Sequence, residues 1–152
     1  PDLDITRAEF AAMITRALGI APQQNVSRFK DIRETDWYHE PVAAAQKYGL
    51  IRGFEDGTFR PAEKITREQA MSILAQAMAL TNLETPGASA VRLEAFADAE
   101  QIAEWAVEGV IRSLNAGIVP GRTETQLAPK AFITRAEAVV IIQRLLQKSG
   151  LI

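Results

Sequence analysis

One short phrase occurs three times along this chain, and nothing else in it limits the architecture so strongly. Ile5-Thr6-Arg7-Ala8-Glu9, Ile65-Thr66-Arg67-Glu68-Gln69 and Ile133-Thr134-Arg135-Ala136-Glu137 answer to one another. A proline stands four residues ahead of each isoleucine, at Pro1, Pro61 and Pro129. The second and third copies lie 68 positions apart (Ile65 to Ile133), and that offset extends backwards without a gap. It aligns Trp37 with Trp105, Glu40 with Glu108, Gly49 with Gly117 and Gly53 with Gly121. One residue of slippage then matches Phe29-Lys30-Asp31 with Phe96-Ala97-Asp98. The unit reads Phe-x-Asp, a Trp, an apolar run ending in Gly, a second Gly, a Pro, then Ile-Thr-Arg. A unit of this size cannot bury its apolar face alone, so neighbouring copies must pack on one another.

This register makes residues 1–152 one module. Residues 29–80 form unit two and residues 96–148 unit three, joined by a linker over 81–95 that contains Pro86, Gly87 and Ser89. A shorter linker covers 19–27. Residues 1–20 supply only the back half of unit one, because the first copy begins at its proline. That incompleteness predicts exposed apolar surface and self-association.

Each unit reads as two helices joined by a loop, which makes the fold all-α. Thr-x-x-Glu ahead of an apolar run is a capping box: the Thr oxygen accepts from the third amide and the Glu reaches back to the first. Gln69 does the same in the middle copy. Apolar residues then follow at helical spacing, as in Phe10, Met13, Ile14, Ala17 and Leu18. Three capped helices near 6–18, 66–80 and 134–148 are expected side by side as a central bundle. A second helix follows each Trp, over Pro41–Tyr48 and about Ala106–Asn115, and the Trp helices and loops form lobes. Phe54 to Phe59 encloses Asp56-Gly57 and reads as a tight turn. Unit three carries Arg122-Thr123-Glu124-Thr125 there, so its turn must differ.

The residue types exclude several functions. The formal charge is −2 with acids and bases interspersed, so there is no basic stripe to displace counterions from nucleic acid. No apolar run approaches the roughly 18 residues of a membrane span. No signal peptide is visible, and a mature or excised domain would have lost one. With no cysteine, disulfides, thiolate catalysis and Cys-based zinc sites drop out. His39 is the only histidine, and no nucleophile motif or glycine-rich phosphate loop accompanies it. The Asp56-Gly57 turn lacks the spaced carboxylates of a calcium loop. No catalytic residue, metal or cofactor is expected.

What remains are candidate ligand-binding positions. Arg7, Arg67 and Arg135 each occupy a first helical position, where the helix dipole mildly disfavours a cation. Free amides and a guanidinium converging there suit a carboxylate or phosphate; a salt bridge between neighbouring units is the alternative. Trp37 follows Asp36 and Trp105 follows Glu104. Each pair is either a core anchor beside an acid or a platform that stacks a sugar while the acid takes its hydroxyls. Asp31 and Asp98 read as turn or capping residues. Gly53 and Gly121 either serve a positive φ or let a ligand approach the backbone.

Taken together, Ile-Thr-Arg-Ala-Glu, Phe-x-Asp, Trp, Gly-Leu-Ile-x-Gly and Asp-Gly-Thr-Phe-x-Pro resemble the S-layer homology family over essentially the whole chain. The resemblance implies three units in a pseudo-threefold spindle with binding grooves between them. It also implies a non-catalytic module that anchors surface proteins, exoenzymes or cellulosome components to pyruvylated secondary cell-wall polysaccharide. The location would be extracellular, at a bacterial cell wall or S-layer, and the anion would be the ketal carboxylate of a pyruvylated sugar. A structural protein–protein or oligomerisation module using the same lobes is the alternative. Carried over by position, Arg7 would face Asp36 and Trp37, while Arg67 and Gly53 would face Glu104 and Trp105. Arg135 and Gly121 would need a Trp of unit one. Glu68-Gln69 and Glu124-Thr125 depart from the family pattern and predict unequal grooves.

Overall fold

Thr6, Thr66 and Thr134 each open a helix, with both halves of the capping box formed in all three. In the computed structural model, which describes residues 3–22, 28–83 and 93–152, these helices are α1 (Arg7–Ala17), α3 (Arg67–Leu80) and α5 (Arg135–Lys148). The Trp-led helices are α2 (His39–Lys47) and α4 (Val107–Asn115). Short 3₁₀ turns at Leu93–Ala95, Ala99–Gln101 and Glu104–Ala106 lead into α4. Among the described residues the only extended pairings are three isolated antiparallel bridges. The chain is all-α, as its pattern requires. Pro1, Pro86, Gly87, Ser89 and the end of the 19–27 linker lie outside the described residues.

The bridges join the units. Ile65 N–H donates to the Ile5 carbonyl at 3.0 Å, Ile133 to Ile65 at 3.2 Å, and Ile5 to Ile133 at 3.2 Å, so the three hydrogen bonds close a ring. These isoleucines are the most deeply buried part of each phrase. A second set runs in the opposite sense, from each unit to the following one. The amide of Arg7 donates to Glu63, that of Arg67 to Ala131, and that of Arg135 to Leu3. Amides at a helix start have no partner within the helix. Here the loop of the next unit supplies one.

The largest helix contacts are α3 on α4 and α1 on α2, with α1 also meeting α5. Helices α1 and α3 thus pack chiefly on the Trp helix of the following unit. Gly109 permits the approach of α4 to α3, because a Cβ there would stand 2.8 Å from the Ser72 Cα. Alongside it, buried Ser113 donates to the Met71 carbonyl at 3.1 Å. The apolar stripes of all five helices merge in one core that includes Phe10, Ile14, Val42, Leu74, Met78, Val110 and Leu145.

The loops between helices are held by the Phe-x-Asp motif. Asp31 accepts from the amides of Phe59 and Arg60 at 2.9 and 2.7 Å, and Asp98 from those of Leu127 and Ala128 at 2.9 and 2.8 Å. Both aspartates are therefore long-range loop clamps rather than local caps. The second residue of each clamped pair, Arg60 or Ala128, has positive φ. The turns themselves differ, as their sequences demand. Asp56 binds the Thr58 amide and hydroxyl in unit two, whereas Thr123 Oγ1 accepts from Thr125 and Gln126 in unit three.

Candidate anion-binding groove

Between the start of α1, the loop of unit two and the Trp of unit three lies a groove of about 820 Å³. Arg7, Gly53, Phe54, Arg60, Gln69 and Trp105 are among its lining residues. The structure thus pairs the expected site residues in a different register. Gly53 and Trp105 share a groove with Arg7, not Arg67, and neither Asp36 nor Trp37 lines it. The physical reason is the direction of the bonds made by the arginine amides: each capped helix start leans on the loop of the following unit, so this groove draws on all three units. Adjacency along the chain carries no information about that direction.

Arg7 is only 7% exposed. Its Nε donates to the Phe59 carbonyl at 2.8 Å, in the same peptide unit whose Arg60 amide Asp31 clamps. Its guanidinium carbon stands 4.7 Å from the ring centres of both Phe54 and Phe59. No carboxylate among the described residues pairs with it. Burial lowers its pKa to about 10, with Glu63 acting in the opposite sense. Arg60 stacks on Phe54 at 3.8 Å and pairs with Asp56 at 3.3 Å. Arg7, Arg52 and Arg60 thus face Glu55 and Asp56 in the lining, leaving a positive balance.

On the other wall, Trp105 is 63% exposed. Glu68 ties down the segment that leads to it. This glutamate is 2% exposed, and it accepts from the Ala103 amide at 3.1 Å and from Lys130 Nζ at 2.8 Å. Glu104 is exposed and does not line the groove.

Gly53 has φ of +77°, and a Cβ there would lie 2.3 Å from the Phe29 ring and 2.8 Å from the Thr58 carbonyl. Gly121 is likewise closed, by Phe96 and the Thr123 carbonyl, without a positive φ. Both glycines make room for the phenylalanine of the Phe-x-Asp motif.

Arg67 occupies the same register one unit on, with its needs met differently. Nε donates to Leu127, one terminal nitrogen to Glu137 at 3.1 Å, and the other to Pro120 at 3.0 Å. Arg122, standing at the position of Phe54, also binds Glu137 at 2.9 Å. Arg135 is half-exposed and pairs with Glu9 at 2.6 Å. Trp37 is exposed and packs edge-on against Tyr38, and Asp36 accepts from the Arg33 amide at 2.8 Å. His39 is buried at the start of α2.

Sequence reading missed Phe54, Arg60 and Gln69 as groove residues and Glu68 as the clamp on the Trp segment. The signal available was the departure at Glu68-Gln69, where the other copies carry Ala-Glu. Among the described residues there is no cluster of three His, Asp or Glu fit to hold a metal ion. No described helix is long and apolar enough to cross a membrane.

Comparison with known proteins places this geometry. The S-layer homology domain matches residues 28–71 and 95–139. An amylopullulanase of Thermoanaerobacterium thermosulfurigenes is 40% identical over 99% of this chain and 8% of its own length. The surface-layer 125 kDa protein of Lysinibacillus sphaericus is 32% identical over 94% of this chain and 12% of its own. A cellulosome-anchoring protein of Acetivibrio thermocellus is 28% identical over 99% of this chain and 34% of its own. The chain therefore spans between 8% and 34% of the length of these relatives. Two tandem matches covering more than half the residues, each including one copy of the capped phrase, make this chain a member of the S-layer homology domain family.

Proposed function

We propose that this chain is a non-catalytic anchoring module that holds a larger secreted protein to a bacterial cell wall. Its ligand is a carboxylate-bearing sugar of a pyruvylated secondary wall polysaccharide. The observation that carries this reading is Arg7: a buried guanidinium at a helix start, set against two aromatic rings, lining a groove and lacking an acidic partner among the described residues. A buried cation in that state favours an incoming carboxylate, because a charge-assisted pair replaces lost hydration. Trp105 offers the exposed face on which the sugar ring stacks. The surface-layer and cellulosome-anchoring relatives support a location at the cell surface. The enzyme relative carries a segment like this one as a small fraction of its length, which fits an anchor rather than a catalytic domain. Arg67 with Gly121, and Arg135 with Asp36 and Trp37, would belong to the corresponding second and third grooves.

Calorimetry with a monosaccharide bearing a 4,6-linked pyruvate tests this. Arg7→Ala is expected to weaken binding roughly ten- to a hundredfold, the worth of a charged hydrogen bond. Trp105→Ala removes an exposed ring, so it should lower affinity while leaving Tm in place. The same sugar without its ketal should bind poorly to the unaltered chain. Equal binding of both sugars would remove the carboxylate from the reading, and binding of neither, alongside capture of a surface-protein partner, would favour the protein–protein alternative.

A further inference from the structure

In two of the three capping boxes the carboxylate at the third helical position pairs with the arginine of the preceding unit. Glu9 pairs with Arg135 at 2.6 Å and Glu137 with Arg67 at 3.1 Å. The corresponding partner of Arg7 is position 69, which is Gln69, and both line the groove. The three boxes are otherwise alike. The first oxygen of each side chain accepts from the threonine amide, at 2.9 Å for Glu9, 3.0 Å for Gln69 and 3.1 Å for Glu137. The second position differs. In Glu9 and Glu137 it is an anionic oxygen already holding a guanidinium; in Gln69 it is an amide nitrogen, a donor.

We infer that this residue decides which groove accepts an anion. Gln69 leaves Arg7 receptive and adds a second donor beside it, whereas Glu137 and Glu9 fill the anion positions on Arg67 and Arg135. A glutamate carboxylate is the intramolecular equivalent of the ligand's own. It is tethered within reach, so a free ligand must displace it. Arg122 reinforces the closure in unit three by adding two contacts to Glu137, at 2.9 and 3.0 Å. The inference deepens the anchoring proposal and takes its ligand class from it, but the difference between grooves rests on residues 9, 69 and 137 alone.

The test follows the arginine side-chain N–H resonances by NMR during titration, first with sodium pyruvate and then with the pyruvylated monosaccharide. In the unaltered chain the Arg7 signal should move with pyruvate while Arg67 and Arg135 stay. Gln69→Glu should weaken the Arg7 response at least roughly tenfold, the scale of one charge-assisted contact. Glu137→Gln should make Arg67 respond and leave Arg7 unchanged. Glu and Gln both complete the box in this fold, so each variant should fold, which its melting curve will show. An Arg67 response equal to that of Arg7 in the unaltered chain overturns the inference. So does a Gln69→Glu chain that binds pyruvate unimpaired, or the absence of any arginine response. A response to pyruvate without one to the sugar leaves the inference standing and removes the carbohydrate reading.

Discussion

Gly53 shows how one side chain's absence shapes the groove. Its φ of +77° disfavours any L-residue, and Phe29 already fills the space a Cβ would need. Gly53→Ala should therefore cost about 2–4 kcal/mol, combining left-handed strain with overpacking. Gly19 separates the two effects: its φ is +69°, with nothing within 4 Å of a Cβ. Gly19→Ala should cost only about 1 kcal/mol. Urea unfolding of both variants decides, and equal losses would mean that the Phe29 contact contributes nothing. Phe29 stacks on Phe59 at 5.3 Å, and Phe59 supplies both the carbonyl and a ring that hold Arg7. The destabilised variant should thus also bind anion less tightly.

At the scale of elements, the helix starts were legible because a capping box is a local device: threonine, glutamate and an apolar stripe lie within one turn of each other. The clamps were not. Asp31 reaches amides 28 and 29 positions away, and nothing local distinguishes it from a turn aspartate. The groove was legible in its residue types but not in its pairing, since Arg7, Gly53 and Trp105 come from three different units. The capping acids also make stability pH-dependent. The Glu9 pKa is lowered, first by the Thr6 amide and further by Arg135. For Glu137, burial acts upward, but Arg122, the Thr134 amide and Arg67 outweigh it, so the net shift is downward. A carboxylate with a depressed folded-state pKa contributes stability above its unfolded pKa, and that contribution is lost as pH falls. Stability should decline as pH falls from the ordinary glutamate value of 4.5 through the depressed values. Both acids are partly exposed, so their ion pairs are worth roughly 0.2–1 kcal/mol each. The double variant Glu9→Gln, Glu137→Gln keeps the caps and should show a flatter Tm–pH curve below that point. An unchanged slope would assign the acid sensitivity to other carboxylates.

For the molecule as a whole, ring closure matters more than repetition. In an open array of repeats each unit touches only its neighbours, and the ends can melt apart from the rest. Here the amide of Ile5 returns to Ile133 and that of Arg135 to Leu3, so the first and last units are joined as the inner pairs are. Trp helices pack across unit boundaries, and no unit keeps a core of its own. Unfolding one unit would therefore strip hydrogen-bond partners and apolar cover from both others. The chain should melt in a single cooperative step. The two tryptophans report on different units, Trp37 on unit two and Trp105 on unit three, and both are exposed enough to replace without disturbing the core. Trp37→Phe and Trp105→Phe chains each leave one reporter. Their fluorescence transitions in urea should coincide with each other and with the loss of helical circular dichroism. Resolved midpoints in the two single-tryptophan chains would mean that the ring opens in stages, with the unit that melts first also losing its share of the groove.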